Sequence, residues 1–293
     1  MRSGLLMLAM GAALAAVPGA LAGPEAPSSH LSRPESAIYH GGAIYVTQMG
    51  TRFSFRGDST PDGSIAVVDR TGRILRTLAT NLVDPTGMAL IGSTLWVNDV
   101  DKIRSFKLPG GAAGAVHDLS SVVPAGSFLN DLVADRSGQL WATNSVTGRI
   151  NVVRKGGRVD TFNLPPEYGS PNGIALHPKT NQLWFVVTNG DIVRKTASGY
   201  ALVWKVQACV YLDGLAFVQR KVVTKSKGTK KTTIVVSAFI SDFTTNVIWK
   251  LQGTNLTRRA TLPGGPADLS YAAPLGVLVI PLNKAGEITT LKP

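Results

Sequence analysis

Four oxygen-bearing side chains recur at one position of a sequence repeat, and they are the residues of this chain best suited to chemistry. The repeat is a short phrase whose second position is occupied in turn by Glu35, Thr86, Asn130, Asn172, Asp213 and Ala267. Two carboxylates and two amide carbonyls form a set of hard oxygen donors, which Ca²⁺ and Mg²⁺ prefer. No Cys or His stands at these positions, which disfavours a transition-metal site with soft ligands. Two adjacent carboxylates also repel unless a cation lies between them. If the positions meet in space, they predict a divalent-cation site.

The spacing of the phrases predicts the elements that would bring these residues together. The phrases begin at steps of 41 to 54 residues, at Pro34, Pro85, Leu129, Pro171, Leu212 and Pro266. A period in the forties with several short strands per repeat is typical of a β-propeller blade. Short Val, Ile, Leu and Trp runs alternate with Gly, Pro, Asn and Asp turns, and helical periodicity is scarce. We therefore predict an all-β, six-bladed β-propeller with four-stranded blades around a central channel, over residues 34–293.

Two further patterns bear on how the blades pack and how the ring closes. Trp96, Trp141 and Trp184 occupy matching second-strand positions, and we expect them to fill the space between blades. The last unit, Pro266 to Pro293, has room for three strands. We expect that residues near 25 to 33 could supply a fourth strand and so latch the ring.

The first 22 residues have the composition of a secretory signal peptide. Arg2 is followed by an uncharged stretch from Gly4 to Ala22, which ends in the small-residue pattern Ala20-Leu21-Ala22. Residues 23–33 form a loose lead-in rich in Gly, Pro, Ser and Ala. We expect an exported protein, periplasmic or secreted, with no membrane span after cleavage. Cys209 is the single cysteine, so the chain forms no intramolecular disulfide.

The chain is strongly basic, and its densest cationic cluster lies in one loop. The formal net charge is +12, and the loop from Arg220 to Lys231 carries six of the 30 Lys and Arg residues. A basic balance can indicate nucleic acid, anionic lipid or an envelope polymer as partner. Because we expect an exported protein, we do not expect nucleic acid as its partner. A solvated long hairpin and a contact with an anionic surface remain the two interpretations of the loop.

The phrases resemble those of the gluconolactonase, senescence-marker-protein (regucalcin) and luciferin-regenerating-enzyme family, which are six-bladed propellers. The resemblance covers about residues 31–293. Its most specific segments are Pro34-Glu35-Ser36, Leu129-Asn130-Asp131, Ser170-Pro171-Asn172-Gly173, Leu212-Asp213-Gly214, Ala267-Asp268-Leu269-Ser270-Tyr271 and Leu278-Val279-Ile280-Pro281.

The resemblance implies a divalent cation at the mouth of the channel and hydrolysis of a lactone or related ester. It implies Glu35, Asn130, Asn172 and Asp213 as the residues around the metal, most often Ca²⁺, with Mg²⁺, Mn²⁺ or Zn²⁺ as alternatives. It also implies that Asp213 activates the attacking water. Phe128, Asn130 and Thr86 are the expected substrate contacts. Sugar lactonases of the family carry Arg at the position of Phe128, so we expect a more apolar, small-molecule substrate here.

Two function classes remain open from the sequence. The first is an exported, metal-dependent hydrolase of lactones or esters. The second is a non-enzymatic exported propeller with a structural calcium ion, which binds a partner or an anionic envelope polymer through its surface loops. The intact set of oxygen donors favours the first. The basic loop and Phe128 in place of the family's Arg favour the second. A propeller catalysing condensation, similar to strictosidine synthase, fits less well, because those relatives do not keep this metal set.

Overall fold

The computed structural model describes residues 30–52, 60–207, 211–226 and 229–293. The predicted signal peptide, residues 23–29 of the lead-in, Cys209 and part of the long connection in the first unit lie outside these ranges. Within them, no helix is long and apolar enough to cross a membrane.

The described chain forms 23 β-strands in six antiparallel sheets. Blade 1 contains β1 (Pro34–His40), β2 (Ala43–Gln48), β3 (Gly63–Val68) and β4 (Ile74–Leu82). Blade 2 contains β5 (Pro85–Ile91), β6 (Thr94–Asp99), β7 (Lys102–Lys107) and β8 (Ala112–Asp118). Blade 3 contains β9 (Leu132–Ala134), β10 (Leu140–Asn144), β11 (Arg149–Val153) and β12 (Val159–Asn163).

The second half of the chain repeats this order. Blade 4 contains β13 (Pro171–Leu176), β14 (Leu183–Val187), β15 (Asp191–Lys195) and β16 (Tyr200–Lys205). Blade 5 contains β17 (Leu212–Ser226), β18 (Thr229–Asp242), β19 (Val247–Gln252) and β20 (Asn255–Thr261). Blade 6 contains β21 (Ser270–Ala272), β22 (Val277–Leu282) and β23 (Glu287–Leu291). Two short 3-10 helices span Pro166–Tyr168 and Ala273–Leu275.

The inner strands of the six sheets contact one another in turn around the ring, and β21 of the last sheet contacts β1 of the first. This arrangement confirms the predicted six-bladed β-propeller. Five blades have four strands, and the sixth has three in the described part of the chain. Leu31 is fully buried beside Ile288, and its backbone N–H donates to Gly286 O at 2.7 Å. The lead-in therefore contacts the last blade, but no fourth strand lies beside β23 among the described residues.

The hydrophobic core is divided among the junctions between blades. Six clusters of buried apolar side chains occur in the described residues, each formed by two neighbouring blades. Trp96, Trp141 and Trp184 pack into three successive clusters, as expected from their matching positions. Because each blade buries one face against the next, closing the ring removes the apolar faces from water.

The inner strands are irregular at the repeated phrase. The pairing of β1, β5, β13 and β17 with their neighbours shifts register between the first and fourth residues of the phrase. A bulge of this kind bends the strand and changes the direction of a side chain. The second residue of each of these phrases therefore lies where the backbone departs from regular alternation.

The basic segment from Arg220 to Lys231 belongs to a long hairpin, as one of its two interpretations predicted, and its strands extend further than a loop would allow. Strands β17 and β18 continue through it as a two-stranded ribbon, paired from Arg220 and Val235 to Ser226 and Thr229. The alternation of Val, Thr and Ile with Lys in this segment is compatible with a solvated antiparallel pair.

Candidate metal centre and cavity

A cavity of about 370 Å³ opens at the end of the ring where the repeated phrases begin. Most of the predicted site residues line it: Glu35, Thr86, Asn130, Asp213, Ala267 and Phe128. Asn172 is buried directly behind Asp213, to which its Nδ2 donates a hydrogen bond of 2.8 Å. The ring thus brings together residues that are up to 232 positions apart in the chain.

Hydrogen bonds within a blade or to the neighbouring blade hold the predicted oxygen ligands. Asn172 Nδ2 also donates to Leu212 O at 3.3 Å. The nitrogen end of the Asn172 amide therefore faces blade 5. Asn130 Nδ2 donates to Ser145 Oγ at 2.7 Å, so its carbonyl oxygen is the end of the amide left for the cavity. The backbone oxygen of Glu35 accepts a hydrogen bond of 3.1 Å from Asp268 N–H.

Two buried oxygens of this set have no hydrogen-bond partner. They are Glu35 Oε2 and Asn172 Oδ1, in side chains that are 6% and 1% exposed. An unpaired polar atom in a buried position costs about 1–3 kcal/mol. A bound cation or water at the cavity floor would remove that cost, and the donors here are all hard oxygens. The residues present therefore fit a Ca²⁺ or Mg²⁺ ion.

The donor set depends on its amides as well as its acids. In the described part of the chain, no group of three or more His, Cys, Asp or Glu side chains has the arrangement of a metal site. Glu35 and Asp213 supply two carboxylates, so Asn130 and Asn172 would have to contribute the remaining protein ligands. Such mixed carboxylate and amide sets are common for Ca²⁺.

Thr86 has a different position from the other polar residues of the floor. Its hydroxyl donates to Leu129 O across the junction between blades 2 and 3, at 2.8 Å. The side chain is 1% exposed. Thr86 therefore connects two blades at the edge of the cavity and has only acceptor capacity left for a ligand.

A second layer of carboxylates lies next along the phrase, at Asp131 and Asp268. Asp131 accepts backbone N–H bonds of 2.7 Å from both Leu132 and Ile174, so it connects blades 3 and 4. Asp268 Oδ2 accepts a 2.6 Å hydrogen bond from Ser36 Oγ and connects blades 6 and 1. Blades 3 and 6 are opposite each other in a six-membered ring, so these two junctions are related by an approximate two-fold axis.

Burial raises the pKa of each carboxyl in the two layers, and neighbouring carboxylates raise the pKa of three of them further. Burial, and then the charge of Asp268, raises the pKa of Asp213 from its usual 3.8 to about 7. Burial raises the pKa of Asp268 to about 6. Burial and the charge of Asp213 raise the pKa of Glu35 well above its usual value, and burial with the charge of Asp268 does the same for Asp131. Without a cation, the channel therefore disfavours ionisation of all four carboxyls. A divalent cation would relieve the repulsion between the ionised groups.

The cavity walls come from the residues two positions before the floor residues. Arg33, Phe128 and Tyr211 occupy this position in blades 1, 3 and 5, and all three line the cavity. The rings of Tyr211 and Phe243 lie 6.3 Å apart in an edge-to-face arrangement. Burial, followed by the charges of Asp213 and Glu35, raises the pKa of Tyr211, so its phenol stays protonated at neutral pH. The walls are largely aromatic, with one guanidinium.

Sequence reasoning identified the floor but missed most of the wall. Arg33 and Tyr211 could have been found, because they stand in the same register as Phe128. Met49, Phe243, Thr244 and Asn283 lie in connections without a shared pattern, and only the folded ring brings them to the cavity. Asp131 and Asp268 stand inside the repeated phrases, so the signal for the second layer was present.

Comparison with solved structures gives fold relatives among enzymes. A putative gluconolactonase matches with a TM-score of 0.59 and 15% identity, covering 89% of each chain. A luciferin-regenerating enzyme matches with a TM-score of 0.60 and 13% identity, covering 87% of this chain and 85% of that one. A catalytically inactive virginiamycin B lyase from Staphylococcus aureus with quinupristin matches with a TM-score of 0.58 and 15% identity, covering 89% and 95%.

These likenesses establish the fold, which is shared with a putative gluconolactonase, a luciferin-regenerating enzyme and a lyase. They agree with the resemblance seen in the repeated phrases. No protein-family model matches the sequence, and the search of curated proteins finds no match. The activity must therefore be argued from this chain's own cavity.

Proposed function

We propose that this protein is an exported, divalent-metal-dependent hydrolase that acts on a lactone or related ester. The observation that carries the proposal is the convergence of Glu35, Asn130, Asn172 and Asp213 beneath a cavity, with two buried oxygens left unpaired. Glu35, Asn130, Asn172 and Asp213 would hold the cation, most often Ca²⁺. When bound, it would polarise the substrate carbonyl and increase the acidity of a water molecule.

Asp213 is the residue proposed to accept the proton of the attacking water. Asn172 holds Oδ1 of Asp213 at 2.8 Å, which leaves Oδ2 as the oxygen able to take that proton. The water oxygen forms a bond to the acyl carbon, the acyl–oxygen bond breaks, and the leaving alkoxide takes the proton back from Asp213. The products are an alcohol and a carboxylic acid, which releases its proton to solvent to become a carboxylate. They are joined in one molecule when the substrate is a lactone.

The walls favour a substrate with an apolar body. Phe128, Tyr211, Phe243 and Met49 present aromatic and thioether surface, and burial of an acyl or aryl group against them contributes about 25 cal/mol per Å². Arg33 supplies a cationic donor at the same level of the cavity, suited to a carbonyl or carboxylate oxygen of the substrate. An apolar lactone or aryl ester fits these walls better than a polyhydroxylated sugar lactone does.

The proposal is tested by turnover on a substrate panel. Purified protein would be assayed on aliphatic lactones, aldonolactones and aryl esters with Ca²⁺, Mg²⁺, Mn²⁺ or Zn²⁺, before and after chelation. We expect turnover of apolar substrates that chelation removes and a divalent ion restores. Asp213→Asn should lower kcat by at least about 100-fold, as loss of a general base does. Asp118→Asn is the matched control, because Asp118 is exposed on β8. Absence of turnover across the panel, or unchanged turnover in Asp213→Asn, would overturn the proposal.

The binding of the cation has a separate test. Glu35→Gln keeps the shape of the side chain and removes its charge, so calcium affinity measured by calorimetry should fall by at least about tenfold. Unchanged affinity would place the cation elsewhere.

A non-enzymatic propeller with a structural ion is the alternative, and the exposed basic ribbon is the observation that favours it. This alternative predicts calcium binding without turnover. Calcium affinity that depends on Glu35, together with an inactive substrate panel, would support it.

A further inference from the structure

The long hairpin of blade 5 extends away from the ring. Strand β18 pairs with β19 only from Ala238 to Asp242, whereas β17 and β18 pair as far as Ser226 and Thr229. We call the part from Arg220 to Ser226 and from Thr229 to Val235 the basic ribbon. Seven residue pairs at about 3.3 Å per residue give it a length of roughly 20 Å. No third strand covers it among the described residues.

The basic ribbon and the cavity lie at opposite ends of one strand. Asp213 is the second residue of β17 and stands at the cavity floor, whereas Val223 lies ten residues further along the same strand. Ten residues of extended chain span about 33 Å. The ribbon therefore projects from the face opposite the cavity and leaves the cavity mouth open.

Contacts at its base fix the ribbon against the ring. Lys179 of blade 4 donates from Nζ to Ile234 O at 2.6 Å, and Arg220 donates from Nη2 to Pro293 O. These bonds come from both sides of blade 5, so they hold the direction in which the ribbon projects.

The ribbon carries cations without compensating acids. No Asp or Glu occurs from residue 214 to residue 241, and six Lys and Arg fall between 220 and 231. None of the ion pairs in the described chain involves the ribbon. Lys221, Lys230 and Lys231 are exposed. Their mutual repulsion disfavours the isolated ribbon and would be relieved by an anionic partner.

Apolar side chains are exposed on the same ribbon. Val223 is 55% exposed, Val222 is 41% exposed and Ile234 is 37% exposed. Paired residues of an antiparallel ladder share a face, so the pairs Lys221–Ile234 and Val223–Thr232 lie on the same side. One face thus combines Val223 and Ile234 with the ammonium of Lys221.

We propose that the basic ribbon is a docking surface for an anionic phospholipid bilayer. The bilayer interface offers negative headgroups for the lysines and an apolar layer beneath them for Val223 and Ile234, which share one face of the ribbon. A soluble anionic polymer would engage the lysines but would leave these two apolar side chains in water. Docking by this face leaves the cavity mouth, at the other end of β17, uncovered.

The test is co-sedimentation of the purified protein with vesicles. Vesicles of phosphatidylcholine containing phosphatidylglycerol would be compared with pure phosphatidylcholine, each at low and high salt. We expect binding to the anionic vesicles that high salt weakens. Each cation near the surface contributes about fivefold to binding, so Lys221→Gln/Lys230→Gln/Lys231→Gln should weaken it by about 100-fold. Lys107→Gln/Lys155→Gln/Arg158→Gln, which removes three exposed cations on blades 2 and 3, is the matched control.

A second variant separates a bilayer from a polymer. Val223→Thr/Ile234→Thr keeps the β-propensity and the charge, and we expect several-fold weaker vesicle binding with unchanged binding to polyphosphate. Equal binding to both vesicle types, no binding, or equal losses in the two triple variants would overturn the proposal. Vesicle binding unaffected by Val223→Thr/Ile234→Thr would also overturn it, since charge alone would then suffice. Turnover is measured in parallel, so failure of docking is distinguishable from failure of the hydrolase proposal.

Discussion

At the scale of single residues, Asn172 organises the cavity floor. Its Nδ2 holds Asp213 Oδ1, while its own Oδ1 has no partner. One amide therefore orients the proposed base and offers a ligand oxygen. This double role predicts that removing it affects both cation binding and turnover.

We expect Asn172→Ala to lower calcium affinity and kcat by at least about tenfold each, because a ligand and the hydrogen bond that orients Asp213 are lost together. Calorimetry and initial rates at saturating substrate measure the two effects. Asn189→Ala is the control, since Asn189 also donates its amide to a carboxylate, Asp191, at 3.2 Å, but away from the cavity. Full activity in Asn172→Ala would contradict the proposed geometry.

Phe128 predicts how the cavity selects its substrate. We expect Phe128→Leu to lower kcat/KM for apolar lactones and aryl esters about tenfold, mainly through KM, because aromatic contact area with the substrate is lost. Steady-state kinetics on short-chain and long-chain substrates checks this. The control is Phe162→Leu on the outer strand of blade 3, where the ring stacks on Trp141. An equal loss for all substrates, or none, would place the apolar contact elsewhere.

The sequence was informative about the floor because its residues share a register. Glu35, Asn130 and Asp213 could be aligned by the phrase alone. Met49 and Phe243 could not, because connections between strands follow no repeat and reach the cavity only once the ring closes. Whether the oxygen ligands bind a cation stays a prediction.

At the scale of elements, glycines set how closely the inner strands approach. A Cβ added to Gly214 would lie 2.6 Å from Asp268 Cα and Leu269 N in the neighbouring blade. A Cβ added to Gly87 would lie 2.5 Å from Asp131 Cα, and one added to Gly173 would lie 2.4 Å from Asp213 O, each in the next blade. In blades 3 and 6 the equivalent positions are Asp131 and Asp268, which connect blades through their side chains instead.

We expect Gly214→Ala to destabilise the protein by about 1–3 kcal/mol, because backbone atoms cannot move aside as a flexible side chain can. Chemical denaturation measures the free energy of unfolding. Gly110→Ala is the control, since an added Cβ there meets nothing within 4 Å and φ is not positive. Equal stability of the two variants would show that the blades can separate slightly without cost.

The elements themselves were predictable to different degrees. The six inner strands and the interblade tryptophans followed from the repeat, and the structure confirms them. The continuation of β17 and β18 through the basic segment did not follow, because lysine is depleted in strands. Lysine is depleted in strands because most strand positions are half-buried. The basic ribbon is solvated on both faces, so it tolerates lysine.

At the scale of the whole molecule, the ring concentrates four buried carboxylates near its axis: Glu35, Asp131, Asp213 and Asp268. Each has a pKa raised above its usual value, mainly by burial. In the folded, cation-free protein these four carboxyls therefore stay protonated at pH values at which the unfolded chain has already lost the same protons.

This difference predicts an unusual pH dependence of stability. A carboxyl whose pKa is higher in the folded than in the unfolded protein stabilises the fold most at pH values below its unfolded pKa, near 4. This contribution to the free energy of unfolding is lost as pH rises through the folded-state pKa. For Asp268 and Asp213 the folded values are about 6 and about 7. We therefore expect the Tm of chelated protein to fall between pH 5 and pH 8. Asp135 and Asp160 have lowered pKa values and titrate below this window. Burial lowers the pKa of His117 and His177, so these two imidazoles oppose the trend, against four carboxyls whose pKa values are raised.

Calcium should reverse the trend, because it competes with protons for the same oxygens and binds best once they are ionised. The Tm gain on adding Ca²⁺ should therefore be larger at pH 8 than at pH 5, as measured by calorimetry at constant ionic strength. Asp213→Asn should flatten the pH dependence of the chelated protein and reduce the gain at pH 8, whereas Asp118→Asn should do neither. A Tm that rises from pH 5 to pH 8 in the chelated protein would mean that the channel carboxylates are already ionised without a cation, and the electrostatic case for the metal centre would fail.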